Sequence, residues 1–461
     1  MTAAEALAAL WKDAGLAEGA LATVSFSGSD PVLPSSFAVG AAAAASIGAA
    51  ALAAAALFRS RGGPATSISV DLRNAALEFR SERYLRIDGQ PPGALGDAIG
   101  GLYRTADGWV RLHTNFPHHR DGVLKLLGSP PERGRVAQAL AGWEGAQFER
   151  VATEAGLAVA RMRSFAAWDR SPEGSALRAE PVVAIERIGE APAQPLLAAR
   201  APLGRVRVLD LTRVIAGPVA GRTLARHGAD VLHVSAPHLP QMERLVIDTS
   251  RGKLSTYLDL SESAAGEVAR KLIGTADVLV QSYRPGALGG LGFGVENAAE
   301  IHPGIIYASL SAYGSSGPWA GRRGFDSLVQ TASGFNQAEA EAAGEDGPKP
   351  LPAQVLDHAS GQLLAFGVIA ALMRRAAEGG SWHVKVSLAR TGLWLRSLGR
   401  VLDGFRCEDP AGGAIAERLE EVASGFGPLT VVRPAAEFSA IRLPPLRPAM
   451  PLGSHPARFP D

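Results

Sequence analysis

The most regular hydrophobic pattern in the chain begins at Arg205, where short apolar runs alternate with segments of helical period. "RVRVLDL", "ADVLHVS", "STYLDL", "DVLVQSY" and "IIYASLSAYG" read as strands. Between them, "AGPVAGRTLARHG", "SESAAGEVARKLIGTA" and "VENAAEIHPG" space their apolar residues as helices do. This alternation predicts an α/β core on a doubly wound parallel sheet. Such sheets bind ligands beyond the carboxyl ends of their strands, which here are the stretches 210–217, 235–240, 282–286 and 311–318.

Upstream, a second pattern emerges. "SISVDLRNAALEFRSERYL" (67–85) and "HVKVSLARTGLWLRSLGRV" (383–401) align without gaps. Val70 falls on Val386, Leu72 on Leu388, Leu77 on Leu393, and Arg80-Ser81 on Arg396-Ser397. Each follows a helix of small apolar residues and a Gly-Gly loop, at Gly62-Gly63 and Gly379-Gly380. The unit of helix, glycine turn, strand and helix therefore occurs twice. The second copy carries an acid near the head of its first helix, Asp357. It aligns near Gly40 or Ala41, and the first copy has no acid between Asp30 and Asp71. "LYRTADGWVRLHTNFPHHRDGVLKLLG" (102–128) reads as a turn, a strand and a helix of a smaller α+β domain. "IGEAPAQPLLAARAPLG" (188–204) reads as a linker. These features divide the chain into residues 1–195, a partial repeat with the smaller domain, and 196–461, the α/β core with a C-terminal tail.

Composition narrows the function. The 461 residues are 47% apolar and 20% charged, with a formal net charge of +1. That balance suits a globular protein and gives no reason to expect nucleic acid or a membrane surface as a partner. With one cysteine, Cys407, neither a disulfide framework nor a cysteine metal site is available in one chain, and a reducing cytoplasm is the expected setting. "FAVGAAAAASIGAAALAAAALF" (37–58) is long enough to span a bilayer. Its alanines and two glycines are weakly hydrophobic, so we read a buried helix. "MTAAEALAALWKDAG" lacks the basic start and apolar block of a signal peptide. His113, His118 and His119 in "HTNFPHH" match no standard metal-ligand spacing, and no metal site is expected. The first strand-to-helix turn of the core, 216–221, lacks the glycine spacing of a dinucleotide site, and Pro218 removes a backbone donor.

The core resembles the family III CoA-transferases, the group of formyl-CoA and carnitine CoA-transferases and α-methylacyl-CoA racemases. The resemblance runs in order through "RVLDLTRVIAGPVAGRTLARHGADVLHV", "SRGKLSTYLDL", "ADVLVQSYRPGALGGLGFG", "HPGIIYASLSAYGSSGPWAGRRGFDSLVQTASG" and "VLDHASGQLLAFGVIAALMRR". The first copy with "YRTADGWV" resembles a later part of the same family, so the chain looks like a rearranged or partly duplicated member. The resemblance implies transfer of CoA between an acyl-CoA and a small carboxylic acid through an aspartyl covalent intermediate. CoA would be a substrate, with no permanently bound cofactor. It also implies a homodimer, possibly interlocked, or a pseudo-dimer made by the two repeats.

On the residues alone, Asp357 is open to two readings. It is an N-cap contributing about 1 kcal/mol, or a carboxylate nucleophile kept ionised by the helix start. The resemblance implies the nucleophile. It likewise implies CoA contacts at Lys253 and Arg284, cations at strand or loop ends suited to phosphates, at Tyr283, which could stack on adenine, and at Ala216 and Gly217. Gly314, Gly317, Phe325 and Asp326 are expected in the substrate loop. Two departures bear on the alternatives. "SAPHLP" and Gly289-Gly290 stand where relatives often carry charged residues, which points to a non-catalytic binding or regulatory homologue. Phe325 stands where the racemase branch has a histidine base, and it cannot move a proton, which disfavours a racemase or isomerase.

Overall fold

Seven strands form the main sheet: β1 (Ala184–Gly189), β2 (Arg207–Leu211), β3 (Asp230–Ser235), β4 (Lys253–Tyr257), β5 (Val278–Gln281), β6 (Ile306–Ser311) and β7 (Ser381–Ser387). The computed structural model describes residues 1–94 and 96–460. The strands lie in the order β4-β3-β2-β5-β6-β7-β1, and β2 to β7 are mutually parallel. Successive side chains leave opposite faces, and both faces are covered. Val208, Val231, Val278, Ile306 and Val384 join the cluster containing the two long helices. Leu209, Leu232, Leu279 and Tyr307 pack on the other side, with Leu272 and Ile273 of helix Ser263–Ile273. Burial on both faces is why these strands read as nearly continuous apolar runs.

β1 is an edge strand that the hydrophobic pattern did not predict, and it runs antiparallel to β7 beside the parallel strands. It also precedes the division at 195/196, so residues 1–195 supply a strand to the core sheet. Its half-exposed, charge-containing sequence "AIERIG" carries little apolar signal. β4 starts at Lys253, earlier than the expected "STYLDL".

The two copies of the repeat are recognisable in three dimensions. Helices Val39–Ser60 and Val355–Glu378 pack against each other. Both are long and apolar enough to cross a membrane, yet 94% and 100% of their most apolar windows are buried inside the protein. Each copy continues through a strand into a helix, Ile68–Asp71 into Leu72–Glu78 and β7 into Leu388–Ser397. In both, the last strand residue caps the helix: Asp71 accepts from Asn74 N at 3.0 Å and Ser387 from Arg390 N at 3.3 Å. The environments differ. The first-copy strand sits in a separate sheet between Val24–Ser27 and Ala436–Phe438.

The smaller domain has its own core around Val110, Leu112, Val123 and Phe148. The expected turn, strand and helix are in fact a hairpin, Gly101–Thr105 with Gly108–Leu112, followed by helix Pro117–Leu127. Apolar alternation continues on both sides of Ala106-Asp107, so the turn joins two strands.

Candidate active site

β2 is flanked by β3 on one side and β5 on the other, and the chain proceeds in opposite directions from this pair. The crevice beyond their carboxyl ends is where a doubly wound sheet binds ligands. It is lined by Arg213, Val214, Ala216, Ser282, Ser311, Phe325 and Asp357 around a space of about 90 Å³. Val214 is a β-branched residue at φ 75°, a strained conformation of the kind that collects at functional sites.

Asp357 is the third residue of its helix and is 8% exposed. It does not cap the helix. That role falls to Asp326, whose carboxylate accepts from the Asp357 backbone N–H at 2.9 Å and also bonds the Gln330 amide. Asp357 therefore gains little from the helix start, contrary to the expectation that the helix keeps it ionised. Burial, then the charges of Asp326 and Glu82, push its pKa well above the ordinary carboxylate value. Burial raises Asp326 to about 6, against the opposing hydrogen bonds it accepts.

The Asp357 carboxyl also faces a larger cavity of about 490 Å³. Its walls come from three parts of the chain: Glu82 and Arg83 at the end of the first repeat copy, Arg111 on the small-domain hairpin with His113 just after it, and Val214, Phe325 and Asp326 of the core. Pattern reading missed Glu82, Arg83 and Arg111. Glu82 meets His358, the residue after Asp357, at 3.1 Å. Phe325 stacks on His113 with ring centroids 3.7 Å apart. Burial and the nearby Arg111 push His113 down to about 3, so its imidazole is neutral. Among the described residues no group of three or more histidines, cysteines or acids could hold a metal ion.

The other expected site residues are distributed differently. Tyr283, Arg284 and Gly314 line a separate cavity of about 370 Å³ at the ends of β5, β6 and β7. It shares Ser311 and Leu310 with the crevice that reaches Asp357, so the three spaces adjoin. Gly317 lies at φ 81° with its Cα facing Ala176, a turn position away from these walls. The expected substrate loop is thus split, with Gly314 beside the Tyr283 cavity, Gly317 away from it, and Phe325 and Asp326 beside Asp357. Gly217 is a packing residue, because a Cβ there would lie 2.4 Å from Thr212. Lys253 requires the clearest correction. It is buried at the start of β4, with Nζ 2.8 Å from Asp210 and 2.8 Å from the Pro218 carbonyl. Burial pulls Lys253 down, while Lys253 and His233 hold Asp210 below its ordinary value despite burial. It is a core ion pair and is not free for a phosphate.

A family model described as CoA-transferase family III matches residues 11–197 and 203–403. The chain belongs to CoA-transferase family III. An acetyl-coenzyme A transferase of Hypoxylon pulicicidum is 30% identical over 330 residues, 65% of this chain and 55% of that protein. A probable fatty acyl-CoA transferase of Mycobacterium tuberculosis is 34% identical over 42% of this chain and 52% of its own length. A formyl-CoA:oxalate CoA-transferase of Streptomyces coelicolor is 33% identical over 40% and 47%. The chain spans about half the length of the curated relatives it matches. A crystal structure of the mycobacterial protein aligns over 43% of this chain and 57% of that chain, at 35% identity and a TM-score of 0.40.

Proposed function

We propose that this family III member transfers CoA between carboxylic acids, with Asp357 as the nucleophile. The observation that carries the reading is the position of Asp357. Its carboxyl is a buried group beyond the sheet's switch point that accepts no hydrogen bond among the described residues and opens on a cavity of about 490 Å³. Tyr283 and Arg284 would hold CoA in the cavity of about 370 Å³, with the thioester reaching Asp357 past Ser282 and Ser311. The Asp357 carboxylate attacks the thioester carbonyl, the C–S bond breaks, and CoA leaves as thiolate from an aspartyl anhydride. The thiolate attacks the aspartyl carbonyl, expelling the donor acid as carboxylate and leaving an Asp357–CoA thioester. The acceptor carboxylate then attacks that carbonyl, again releasing CoA thiolate. Attack of the thiolate on the acceptor acyl carbon frees Asp357 and forms the new acyl-CoA. Each step exchanges one acyl bond for another, so no redox change or metal is needed.

The raised pKa of Asp357 bears on this scheme. Burial and the two neighbouring acids weight Asp357 toward its protonated form, whereas the transfer scheme requires the carboxylate. Incubation with a panel of acyl-CoAs, trapping with hydroxylamine and intact-mass analysis beside Asp357→Ala tests the proposal. A hydroxamate adduct absent from the variant is expected. No adduct, together with no CoA binding by calorimetry, would sink the transferase reading. Ligand binding without an adduct would favour the non-catalytic homologue, which the burial of Lys253 and the pair Gly289-Gly290 already support.

A further inference from the structure

The wall of the larger cavity holds two cations that the transfer scheme leaves unused. Arg111 lies between Val110 and Leu112, whose side chains fill the small-domain core, so strand alternation turns it to the opposite face and into the cavity. Arg83 enters from helix Ser81–Tyr84. Among the described residues, neither guanidinium has an ion-pair partner or a side-chain hydrogen bond, though four acids share the cavity wall. Those acids are engaged elsewhere or kept apart. Glu82 bonds His358 at 3.1 Å, and Asp97 accepts from Thr114 at 2.8 Å and from Ile99 N at 3.1 Å. Asp326 takes the start of the helix bearing Asp357. Burial pulls both arginines below their ordinary value. Each still offers a fork of donors matched to a carboxylate. Both arginines are half-buried with their donors unpaired, so an anionic ligand in the cavity would supply the partners they lack.

We propose that Arg111, assisted by Arg83, binds the remote carboxylate of a dicarboxylic acyl group whose other carboxyl reacts at Asp357. This rests on the transferase reading and narrows its substrate class. A second carboxylate in a cavity lined by Glu82, Asp97, Asp326 and Asp357 would be repelled unless a cation met it, and Arg111 and Arg83 supply the cations. A monocarboxylic acid of equal length would leave them unpaired.

Glutarate and valerate have the same carbon count and differ at the remote end, so they are suitable probes. Calorimetry of both acids on the wild-type protein, Arg111→Met and Arg111→Lys reads the subsite without turnover. Wild type is expected to bind glutarate about tenfold to a hundredfold more tightly than valerate, the range of a charge-assisted hydrogen bond. Arg111→Met should abolish the preference, and Arg111→Lys should keep the charge and restore part of it. Thermal melts establish that each variant is folded, and Arg83→Met provides a second perturbation if Arg111→Met is not. Equal affinity for the two acids, or a preference surviving in both methionine variants, overturns the proposal. So does an equal loss of affinity for CoA itself with the acid preference unchanged, because the arginines would then serve phosphates. The transferase reading fails separately, through absence of the Asp357 adduct. An adduct formed without discrimination between the acids would leave that reading standing and remove this one.

Discussion

Asp326→Asn removes the nearest negative charge from Asp357 while keeping a side chain of the same shape. The folded-state pKa of Asp326 is about 6 against an ordinary 3.8. A gap of about 2 units corresponds to about 3 kcal/mol. For a carboxyl raised in the folded state, the stabilising contribution is fully present below the unfolded value and lost as pH rises through the folded one. The wild-type protein therefore carries this cost in full at pH 8 and only a small part of it at pH 4. Asn carries none at either pH, but it is a weaker acceptor for the Asp357 N–H and leaves the Gln330 amide without its carboxylate. That loss is about 1 kcal/mol and independent of pH. Urea unfolding should find the variant about 1 kcal/mol less stable than wild type at pH 4 and about 2 kcal/mol more stable at pH 8. A stability difference equal at the two pH values would refute the reasoning. The same variant lowers the pKa of Asp357 by removing a like charge. The acid limb of the kcat/KM profile, which reports the free enzyme, should move to lower pH. A limb that does not move would mean that Asp357 is not the titrating nucleophile.

Lys253→Met strands the buried Asp210, and chemical unfolding should lose roughly 3–5 kcal/mol. The KM for acyl-CoA of the folded protein should stay within about twofold; a large rise in KM with stability intact would restore the phosphate role. Gly361 lies one turn beyond Asp357, and a Cβ there would sit 2.5 Å from the Ala216 carbonyl and 2.8 Å from Val219. Gly361→Ala should therefore cost roughly 1–3 kcal/mol and lower kcat by tilting the helix that bears Asp357; unchanged melting and turnover would contradict this packing. Intact mass should count one trapped adduct per chain, and two would contradict the asymmetry of the repeats.

The sheet was legible because its central strands are buried on both faces, which writes long Val and Leu runs into the sequence. β1 was not, since an edge strand with charges at Glu186 and Arg187 needs few apolar residues. The position of Asp357 could be read from motif order, but its electrostatics could not. Asp326 lies 31 residues away in sequence, and nothing local says that it occupies the helix start. Lys253 looked like a surface cation because its partner, Asp210, is 43 residues distant. Arg111 had a usable signal, a charge between two core-facing residues, which places it on the opposite side of a strand from its neighbours. What that side faces is set by the fold, and so the first half of the chain read as structural support.

The two repeat copies show why the first half is more than support. Both long helices begin against a carboxylate from elsewhere in the chain. Asp326 accepts from Asp357 N at 2.9 Å, and Asp30 accepts from Gly40 N and Ala41 N, each at 2.8 Å. In the first copy Ala41 takes the place of Asp357, and a Cβ at the neighbouring Gly40 would lie 2.5 Å from Val32 and 2.6 Å from Asp30. That helix start is filled. An acid there would face Asp30 in an apolar interior, the arrangement that most disfavours ionisation. Asp357 tolerates its acidic neighbour because it opens on the cavity of about 490 Å³. The exchange runs in the other direction at the far end of the unit. Glu82 and Arg83 of the first copy line the cavity, whereas the aligned residues of the second are Leu398 and Gly399. One copy thus presents the carboxyl proposed to react and the other the charged wall facing it, with His358 and Glu82 in direct contact between them. The first copy has no acid where the second has Asp357, and the second has no charged pair where the first has Glu82-Arg83, so the two copies are complementary and together build one site.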